Sequence, residues 1–252
     1  MYSEIGTVGL PVSFVPVSLS DISSKLYFGD EIFDGLFQGF KSKQVVYLYG
    51  SERCSHLAEI LCVRVQLPSN EGGMNSKAIF LDCSCSFNPS NFVRISRQSK
   101  LDRAVTLRNI MISRAFTCFQ MTNFIESRLK ETLEDTGSKL IVVSDFPSLY
   151  CDEDLEEDIG KEQFYRALLT LTTIVKSTNA VALITNSRPK FTHKMRRLEN
   201  LLRRRCNIVA SITLKDSVTR IILAKHPSAA LSRLDIPAAA TNMSLESFLG
   251  VA

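Results

Sequence analysis

The sequence has few of the features that mark fibrous, low-complexity or disordered chains. Its 252 residues include only 11 glycines and 8 prolines, which excludes collagen-like and low-complexity classes. Apolar residues make up 45% of the chain, which is too many for intrinsic disorder. The length is enough to bury a sizeable core. We therefore expect a globular fold, formed either by one large domain or by a domain with an extension.

Signals for membrane insertion, export and zinc binding are also lacking. No stretch approaches the roughly 18 uninterrupted apolar residues of a membrane-spanning helix. Residues 1–18 contain Glu4, two prolines and no basic residue, so we expect no signal peptide. The seven cysteines are an odd number, and none forms the Cys-x-x-Cys spacing of a structural zinc site. We expect no bound metal, a reducing compartment and mostly buried thiols.

Short apolar blocks rich in β-branched residues alternate with helical patterns. The blocks are residues 45–49, 78–81, 140–143 and 180–184. Continuous apolar blocks of this length are typical of strands buried on both faces of a mainly parallel sheet. Residues 121–133 and 164–175 carry apolar side chains at helical spacing. This alternation predicts an α/β domain with three layers.

The last third of the chain has a different pattern. Residues 208–213 and 219–224 are apolar and β-rich, and the short segment between them predicts an antiparallel hairpin at the edge of the sheet. We place one domain at residues 24–236. An N-terminal arm occupies residues 1–23, and a C-terminal tail occupies residues 237–252.

Opposite charges are concentrated in two segments. Residues 152–158 hold six acids, and residues 188–205 hold eight lysines and arginines plus His193 against one acid, Glu199. A solvated surface is one interpretation of each segment. The other, for the basic segment, is contact with nucleic acid, because clustered cations gain affinity by releasing counterions. The candidate DNA-binding residues are Arg188, Lys190, Lys194, Arg196, Arg197, Arg203, Arg204 and Arg205.

The first strand-to-helix junction is where an α/β domain of this order binds phosphate. A working phosphate loop needs glycines, a lysine for the phosphate charge and a Ser or Thr hydroxyl for Mg²⁺. Only Gly50 and Ser55 meet these needs, and Glu52 places a negative charge where phosphates would lie. Arg53 is an alternative cation, but a guanidinium group does not reproduce a lysine ammonium. We do not expect ATP hydrolysis at this loop.

Motifs along the chain resemble the RecA/RadA strand-exchange recombinases. The matching segments are residues 26–36, 45–50, 66–68, 71–73, 77–82, 86–89, 113–116, 140–145, 183–186 and 220–227. The resemblance covers residues 24–236 and is closest in character to a eukaryotic-like paralog without an intact phosphate loop. It implies a RecA-like three-layer core with a mostly parallel central sheet and a C-terminal antiparallel hairpin.

The resemblance assigns the family's catalytic positions to residues that lack the required chemistry. Cys54 falls at the position of the lysine, and Ser84 falls at that of the general base two residues after Asp82. Ser144 replaces an aspartate that holds Mg²⁺, and Asp145 lies one residue late, so that a one-residue slip would turn its side chain to the other face. The degenerate site as a whole comprises Gly50, Arg53, Cys54, Ser55, Asp82, Ser84, Ser144, Asp145 and Ser187, which stands in place of the sensor glutamine.

These losses imply a pseudo-ATPase that uses neither ATP nor Mg²⁺ as a cofactor, although weak ATP binding stays open. The alternative is an enzyme with an unorthodox phosphate loop that uses Arg53, Ser55, Asp82 and Asp145.

The resemblance also implies contact with single-stranded DNA, because the family's segment after the sensor strand approaches DNA and is here residues 188–205. Only one aromatic residue, Phe191, lies in it, which favours backbone contact without sequence readout. An amphipathic helix that buries Leu198, Leu201 and Leu202 is compatible with this contact.

The implied role is in homologous recombination and DNA repair, where the chain would assist assembly or stability of an active recombinase filament. The implied partners are a strand-exchange recombinase, another recombinase paralog and single-stranded DNA. A protein-interaction scaffold that does not bind DNA is the remaining alternative. The expected location is the nucleus, and an archaeal cytoplasm would serve equally.

The N-terminal arm offers a candidate anchor for a partner. It is too short for the family's N-terminal helical domain, but its apolar stretch contains Phe14, which by resemblance would dock on a neighbour by strand addition. An arm folded onto its own domain is the alternative.

Overall fold

The structure is a computed structural model, and it describes residues 25–189 and 192–237. Several predicted features lie outside the described residues. They are the arm with Phe14, the basic-segment residues Lys190 and Phe191, and the tail after Pro237.

An eight-stranded sheet forms the centre of the fold. Its strands are β3 (Val45–Tyr49), β4 (Ala78–Asp82), β5 (Ile110–Arg114), β6 (Leu140–Ser144), β7 (Val181–Asn186), β8 (Ile208–Lys215), β9 (Val218–Lys225) and β10 (Ser232–Pro237). Their order is β10-β9-β8-β3-β7-β6-β4-β5, and the strands from β8 to β5 are mutually parallel. β9 and β10 extend the sheet by antiparallel pairing. A separate antiparallel pair is formed by β1 (Lys25–Leu26) and β2 (Phe40–Lys41).

Helices connect the parallel strands. They are α1 (Glu31–Phe37), α2 (Arg53–Arg64), α3 (Pro89–Gln98), α4 (Arg103–Arg108), α5 (Cys118–Ser127), α6 (Leu129–Thr136), α7 (Glu157–Ser177) and α8 (His193–Arg205). Two 3₁₀ turns, Ser69–Glu71 and Phe146–Tyr150, complete the connections.

The two faces of the sheet bury separate cores. On β3, Val46 and Leu48 pack into a core with residues of α1, α2 and α3. Val45 and Tyr47 point the other way and pack with residues of α5, α6, α7 and α8. This alternation follows from the two-residue period of a strand. The predicted three-layer, mostly parallel α/β fold is confirmed.

The four apolar blocks form β3, β4, β6 and β7, which occupy interior positions of the sheet. Two strands of this sheet were not predicted, β5 and β10, and both lie at an edge; the separate pair of β1 and β2 was not predicted either. An edge strand has one open side, so its sequence carries exposed and polar residues. In β5, for example, Met111 and Ile112 are exposed.

The C-terminal hairpin is confirmed, with Asp216 and Ser217 at its turn in left-handed conformations. It is larger than predicted, because β10 adds a third strand. Its first strand, β8, lies inside the sheet, because it pairs in parallel with β3 on one side and antiparallel with β9 on the other. The single helix predicted over residues 121–133 is divided at Arg128 into α5 and α6.

Within residues 25–189 and 192–237, no helix has both the length and the apolar character needed to span a membrane.

Candidate functional site

The candidate nucleotide-site residues gather at one end of the sheet. Strands β3, β7, β6 and β4 are neighbours in that order, so the residues that follow their carboxyl ends meet at a common edge. Tyr49 lies in register with Asn186, and Asp82 with Ser144. The fold therefore brings together residues that are far apart in the sequence.

The loop after β3 is short and held against the sheet. Gly50 has a φ of 124°, and a Cβ there would lie 2.8 Å from the carbonyl oxygen of Ile212, so only glycine fits. The Gly50 N–H donates to the Asn186 carbonyl at 3.0 Å, and the Ser51 hydroxyl donates to the Ile212 carbonyl at 2.7 Å. Helix α2 begins at Arg53, only two residues after Ser51.

The side chains at the start of α2 are buried. Arg53 and Cys54 both point into the protein. Burial raises the pKa of the Cys54 thiol to about 12, so the thiol is uncharged at neutral pH. The position that the resemblance assigns to a phosphate-binding lysine therefore holds a buried, neutral group.

Ser55, Ser187 and Asp145 form one connected cluster. The hydroxyls of Ser55 and Ser187 are hydrogen-bonded to each other. The Ser187 N–H donates to Asp145 Oδ1 at 2.6 Å, and the Asp145 N–H donates to the Thr185 hydroxyl at 3.0 Å. Asp145 has a left-handed backbone with a φ of 48°. Its carboxylate thus links the ends of β6 and β7 beside the phosphate loop.

The Asp82 carboxylate is engaged inside the protein. Oδ1 accepts the Ser86 N–H at 3.0 Å, and Oδ2 accepts Arg114 Nε at 3.0 Å. The Ser86 hydroxyl also lies 3.0 Å from that of Ser144. Ser84, at the position that the resemblance assigns to the family's base, is exposed. Sequence reasoning missed Arg114, because no local signal links it to a carboxylate 32 residues away.

A surface ion pair connects the phosphate loop to the basic segment. Glu52 Oε1 accepts Arg188 Nε at 2.8 Å and also Arg188 Nη2. Both side chains are exposed, so the pair contributes about 1 kcal/mol or less to stability. Its effect is local, because it neutralises the first cation of the basic segment.

Most of the basic segment folds as the amphipathic helix α8. Thr192 caps its first turn by accepting the Met195 N–H at 3.2 Å. Leu198 and Leu202 are buried, and Leu201 is half-buried, which matches the predicted apolar side. Arg196 and Arg204 are exposed and form no ion pair with any described residue.

The acidic segment 152–158 lies on α8 of the same chain. Glu157 Oε1 accepts Arg197 Nη1 at 2.8 Å and lies 3.5 Å from His193 Nδ1. Lys194 Nζ donates to the Leu155 carbonyl at 2.8 Å. A cavity of about 360 Å³ lies between the two segments, lined on one side by acids 152–154 and on the other by Arg188 and Met195.

Tyrosines cover two further cations of α8. The Arg203 guanidinium lies 4.5 Å from the centre of the Tyr49 ring, and Arg205 Nη2 donates to the Tyr165 hydroxyl at 3.1 Å. Lys225 donates to the carbonyls of Arg203 and Arg204, at the carboxyl end of α8. Among the described DNA-binding candidates, only Arg196 and Arg204 have side chains with no partner within residues 25–189 and 192–237.

Candidate metal ligands are not clustered in the described chain. Residues 25–189 and 192–237 contain no group of three or more His, Cys, Asp or Glu side chains arranged to hold a metal ion.

Comparison with known proteins identifies the relatives of this chain. A sequence model of the Rad51 family matches residues 23–226. The "Meiotic recombination protein DLH1" of Candida albicans is 27% identical over 161 residues, which cover 62% of this chain and 49% of that protein.

Two further similar proteins are also named as recombination or DNA repair proteins. The "Meiotic recombination protein DMC1" of Saccharomyces cerevisiae is 26% identical over 189 residues, covering 70% of this chain and 56% of that protein. The "DNA repair protein RAD51 homolog B" of Zea mays is 27% identical over 162 residues, covering 62% and 46%. The chain spans about half the length of these relatives. The family match covers most of the chain and agrees with the RecA-like sheet order, and the chain therefore belongs to the Rad51 family.

Proposed function

We propose that this chain is a non-hydrolysing member of the Rad51 family that acts in homologous recombination and DNA repair. Its relatives are named as meiotic recombination and DNA repair proteins. In the proposed role it assists the assembly or stability of an active recombinase filament on single-stranded DNA. One observation carries the proposal: in a chain of the Rad51 family, Cys54 is buried and neutral at the position that the resemblance assigns to a phosphate-binding lysine.

The residues at the loop do not fit a magnesium nucleotide. Glu52 places a carboxylate where phosphates would lie, and repulsion between like charges opposes binding there. Asp82 has no free oxygen facing a ligand, because Arg114 and backbone N–H groups occupy both of its oxygens. The Ser55 hydroxyl is bonded to Ser187. These contacts support a core that is stable without nucleotide.

Single-stranded DNA would contact the basic segment. Arg196 and Arg204 are exposed cations on α8, and cations of this kind bind the phosphate backbone through counterion release. Arg188 would join them when its pair with Glu52 opens. Because aromatic side chains are scarce in the segment, the contact would not depend on base sequence.

The partners in this proposal are a strand-exchange recombinase and a second recombinase paralog, and the location is the nucleus. The recombinase-like core would cap or extend a filament of the active protein. A partner paralog would stabilise the loops around the degenerate site. Co-expression with candidate paralogs, followed by mass spectrometry of the purified complexes, would identify them.

Calorimetric titration with ATP, with and without Mg²⁺, tests the absence of nucleotide function. We expect no micromolar binding, and we expect binding of labelled single-stranded DNA to be the same with and without ATP. A filament-lifetime assay with an active recombinase should show slower dissociation when this protein is added. Micromolar ATP binding together with ATP turnover would overturn the proposal.

A second candidate function is an ATPase with an unorthodox site. The cluster of Ser55, Ser187 and Asp145 favours it, because a hydroxyl and a carboxylate do lie together at the loop. Turnover that is lost in Ser55→Ala, but kept in a Ser51→Ala control, would support this enzyme.

A further inference from the structure

The positive surface of the folded protein differs from the one that the sequence emphasises. The basic segment holds the densest run of cations, but the acidic segment and nearby tyrosines engage much of α8. Another group of cations forms no such contacts with the part of the chain that the structure describes. It lies on α3, α4 and the turn between them.

This second surface, called here the α3–α4 surface, comprises five cations. They are Arg94, Arg97, Lys100, Arg103 and Arg108. Arg94 is half-buried and the other four are exposed. None of the five forms an ion pair with another residue of the described chain.

The stretch 94–108 contains a single acid, Asp102, which serves as a helix cap. Its Oδ1 accepts the Val105 N–H at 2.8 Å at the start of α4. A capping carboxylate is directed at backbone groups of its own helix. It also offsets only one of the five neighbouring charges, so the surface remains strongly positive.

The α3–α4 surface rests on a rigid support. The Phe92 ring of α3 stacks on Phe87 at 4.7 Å, and Phe92 is fully buried. On α4, the Thr106 carbonyl accepts Gln66 Nε2 at 3.2 Å, and Gln66 Oε1 accepts Asn109 Nδ2 at 3.2 Å. These contacts fix both helices, so binding at the surface needs little reordering of the backbone.

The position of this surface separates it from α8. Helix α3 packs into the core on one face of the sheet, and α8 packs into the core on the other face. The α3–α4 pair also lies by β4 and β5, at the opposite end of the sheet from β8. A ligand on α8 would therefore not cover the α3–α4 surface.

We infer that the α3–α4 surface binds the phosphodiester backbone of a nucleic acid, as a contact separate from α8. Four of its five cations are arginines, whose planar guanidinium groups match phosphate oxygens in pairs. Residues 94–108 contain no aromatic side chain for base stacking, so the contact would be with the backbone. This contact goes beyond the proposed function, since it uses neither the phosphate loop nor the basic segment.

The test removes three exposed cations in the variant R97Q/K100Q/R103Q. Its matched control, K130Q/K176Q/K215Q, removes the same charge from three exposed lysines elsewhere. Binding of labelled single-stranded and duplex oligonucleotides is measured by fluorescence anisotropy over a range of salt concentrations. In the test variant we expect binding about 10- to 30-fold weaker at low salt. We also expect the slope of the logarithm of the duplex-DNA binding constant against the logarithm of the salt concentration to be smaller in magnitude by about 2 to 3. The control should bind within about twofold of the wild type.

Unchanged affinity and salt slope in R97Q/K100Q/R103Q would overturn the inference, as would a wild-type protein that binds neither oligonucleotide. A separate variant, R196Q/R204Q, distinguishes this contact from the proposed one on α8. Loss of binding in that variant alone removes the α3–α4 contact and keeps the proposed function. Loss of binding in R97Q/K100Q/R103Q alone keeps the α3–α4 contact and removes the DNA contact proposed for α8.

An acidic protein partner is the competing class of ligand. If labelled polyglutamate binds in an R97-dependent manner while neither oligonucleotide does, the inference is overturned in favour of that class. Circular dichroism checks that each variant is folded. If the triple variant does not fold, the oligonucleotide affinities of the single variants R97Q and R103Q are compared with that of the wild type instead.

Discussion

Glu52 and Arg188 join the phosphate loop to the basic segment across 136 residues of sequence, with Arg188 Nε 2.8 Å from Glu52 Oε1. The acid lies where a phosphate-binding loop would avoid negative charge, and the arginine is the first cation after β7. Their pairing makes the loop a partner of the basic segment.

Removing the Glu52 charge should strengthen DNA binding. In Glu52→Gln we expect affinity for single-stranded DNA to rise about two- to fivefold at low salt, because Arg188 is released and one repulsive charge is lost. Anisotropy titration measures this change. Thermal unfolding should shift by less than the equivalent of about 1 kcal/mol, since the pair is exposed. Glu131→Gln, which removes an exposed acid from α6, is the control. An equal rise in both variants would mean that only net charge matters.

Neutralising Glu157 should expose the cations of α8. Its carboxylate pairs with Arg197 at 2.8 Å and lies near His193, so Glu157→Gln frees positive charge on the proposed DNA surface. We expect the affinity for single-stranded DNA to rise about threefold. The logarithm of the binding constant should also fall more steeply with the logarithm of the salt concentration, by the amount that about one added phosphate contact gives. Glu162→Gln, which removes an exposed acid from the same helix α7, is the control. If DNA binds Glu157→Gln no better than this control, the acidic segment does not compete with DNA.

Asp82 should act as a structural residue. Replacing it with asparagine weakens its pairing with Arg114 and its bonds to backbone N–H groups, all at a fully buried position. We expect Asp82→Asn to lower the free energy of unfolding by about 2–3 kcal/mol, measured by urea denaturation. Ser144→Ala should cost about 1 kcal/mol or less. Full stability of Asp82→Asn, together with altered nucleotide binding, would point instead to a ligand-binding role.

His226 should make stability depend on pH. Burial is the main factor that lowers the pKa of His226 below its usual 6.5, and Lys25 and Lys41 add to this effect. Its Nδ1 accepts the N–H groups of Ser228 and Ala229, at 3.1 and 2.7 Å, which requires an unprotonated nitrogen. Because the unfolded chain takes up the proton first, stability is retained above about pH 6.5 and lost as the pH falls below it.

Urea unfolding of wild type and His226→Gln between pH 7.5 and 5 measures this effect. We expect the wild type to lose more stability than the variant over this range. Parallel curves for the two proteins would assign the pH dependence to other groups.

The interior of the fold was predictable from local sequence. Strands β3, β4, β6 and β7 are covered on both faces, so almost every side chain in them is apolar and the blocks stand out. Edge strands β5 and β10 were missed for the opposite reason, because one open side admits polar and exposed residues. The division at Arg128 was missed because Leu129 and Leu133 continue the apolar spacing of α5.

The sequence was enough to predict which residues belong to the candidate site, but not which of them contact one another. The order of strands and motifs along the chain is enough to place Gly50, Asp82 and Asp145 at or just after strand ends, and Ser55 at the start of the helix that follows β3. The link from Ser187 to Asp145, and from Arg114 to Asp82, depends on which strands become neighbours in the sheet. Pairing of this kind joins residues 42 and 32 positions apart, and no local pattern reports it.

The sequence by itself determined the parallel core, the family and the absence of a lysine from residues 49–58, because each depends on residue identity and order. Only the tertiary structure decided which charges remain uncancelled. Charges interact according to their distance in space, and Glu157 lies 40 residues before Arg197 along the chain but 2.8 Å from it after folding. The fold thus places the acidic segment against the basic helix and leaves the five cations of the α3–α4 surface without an ion-pair partner in the described chain.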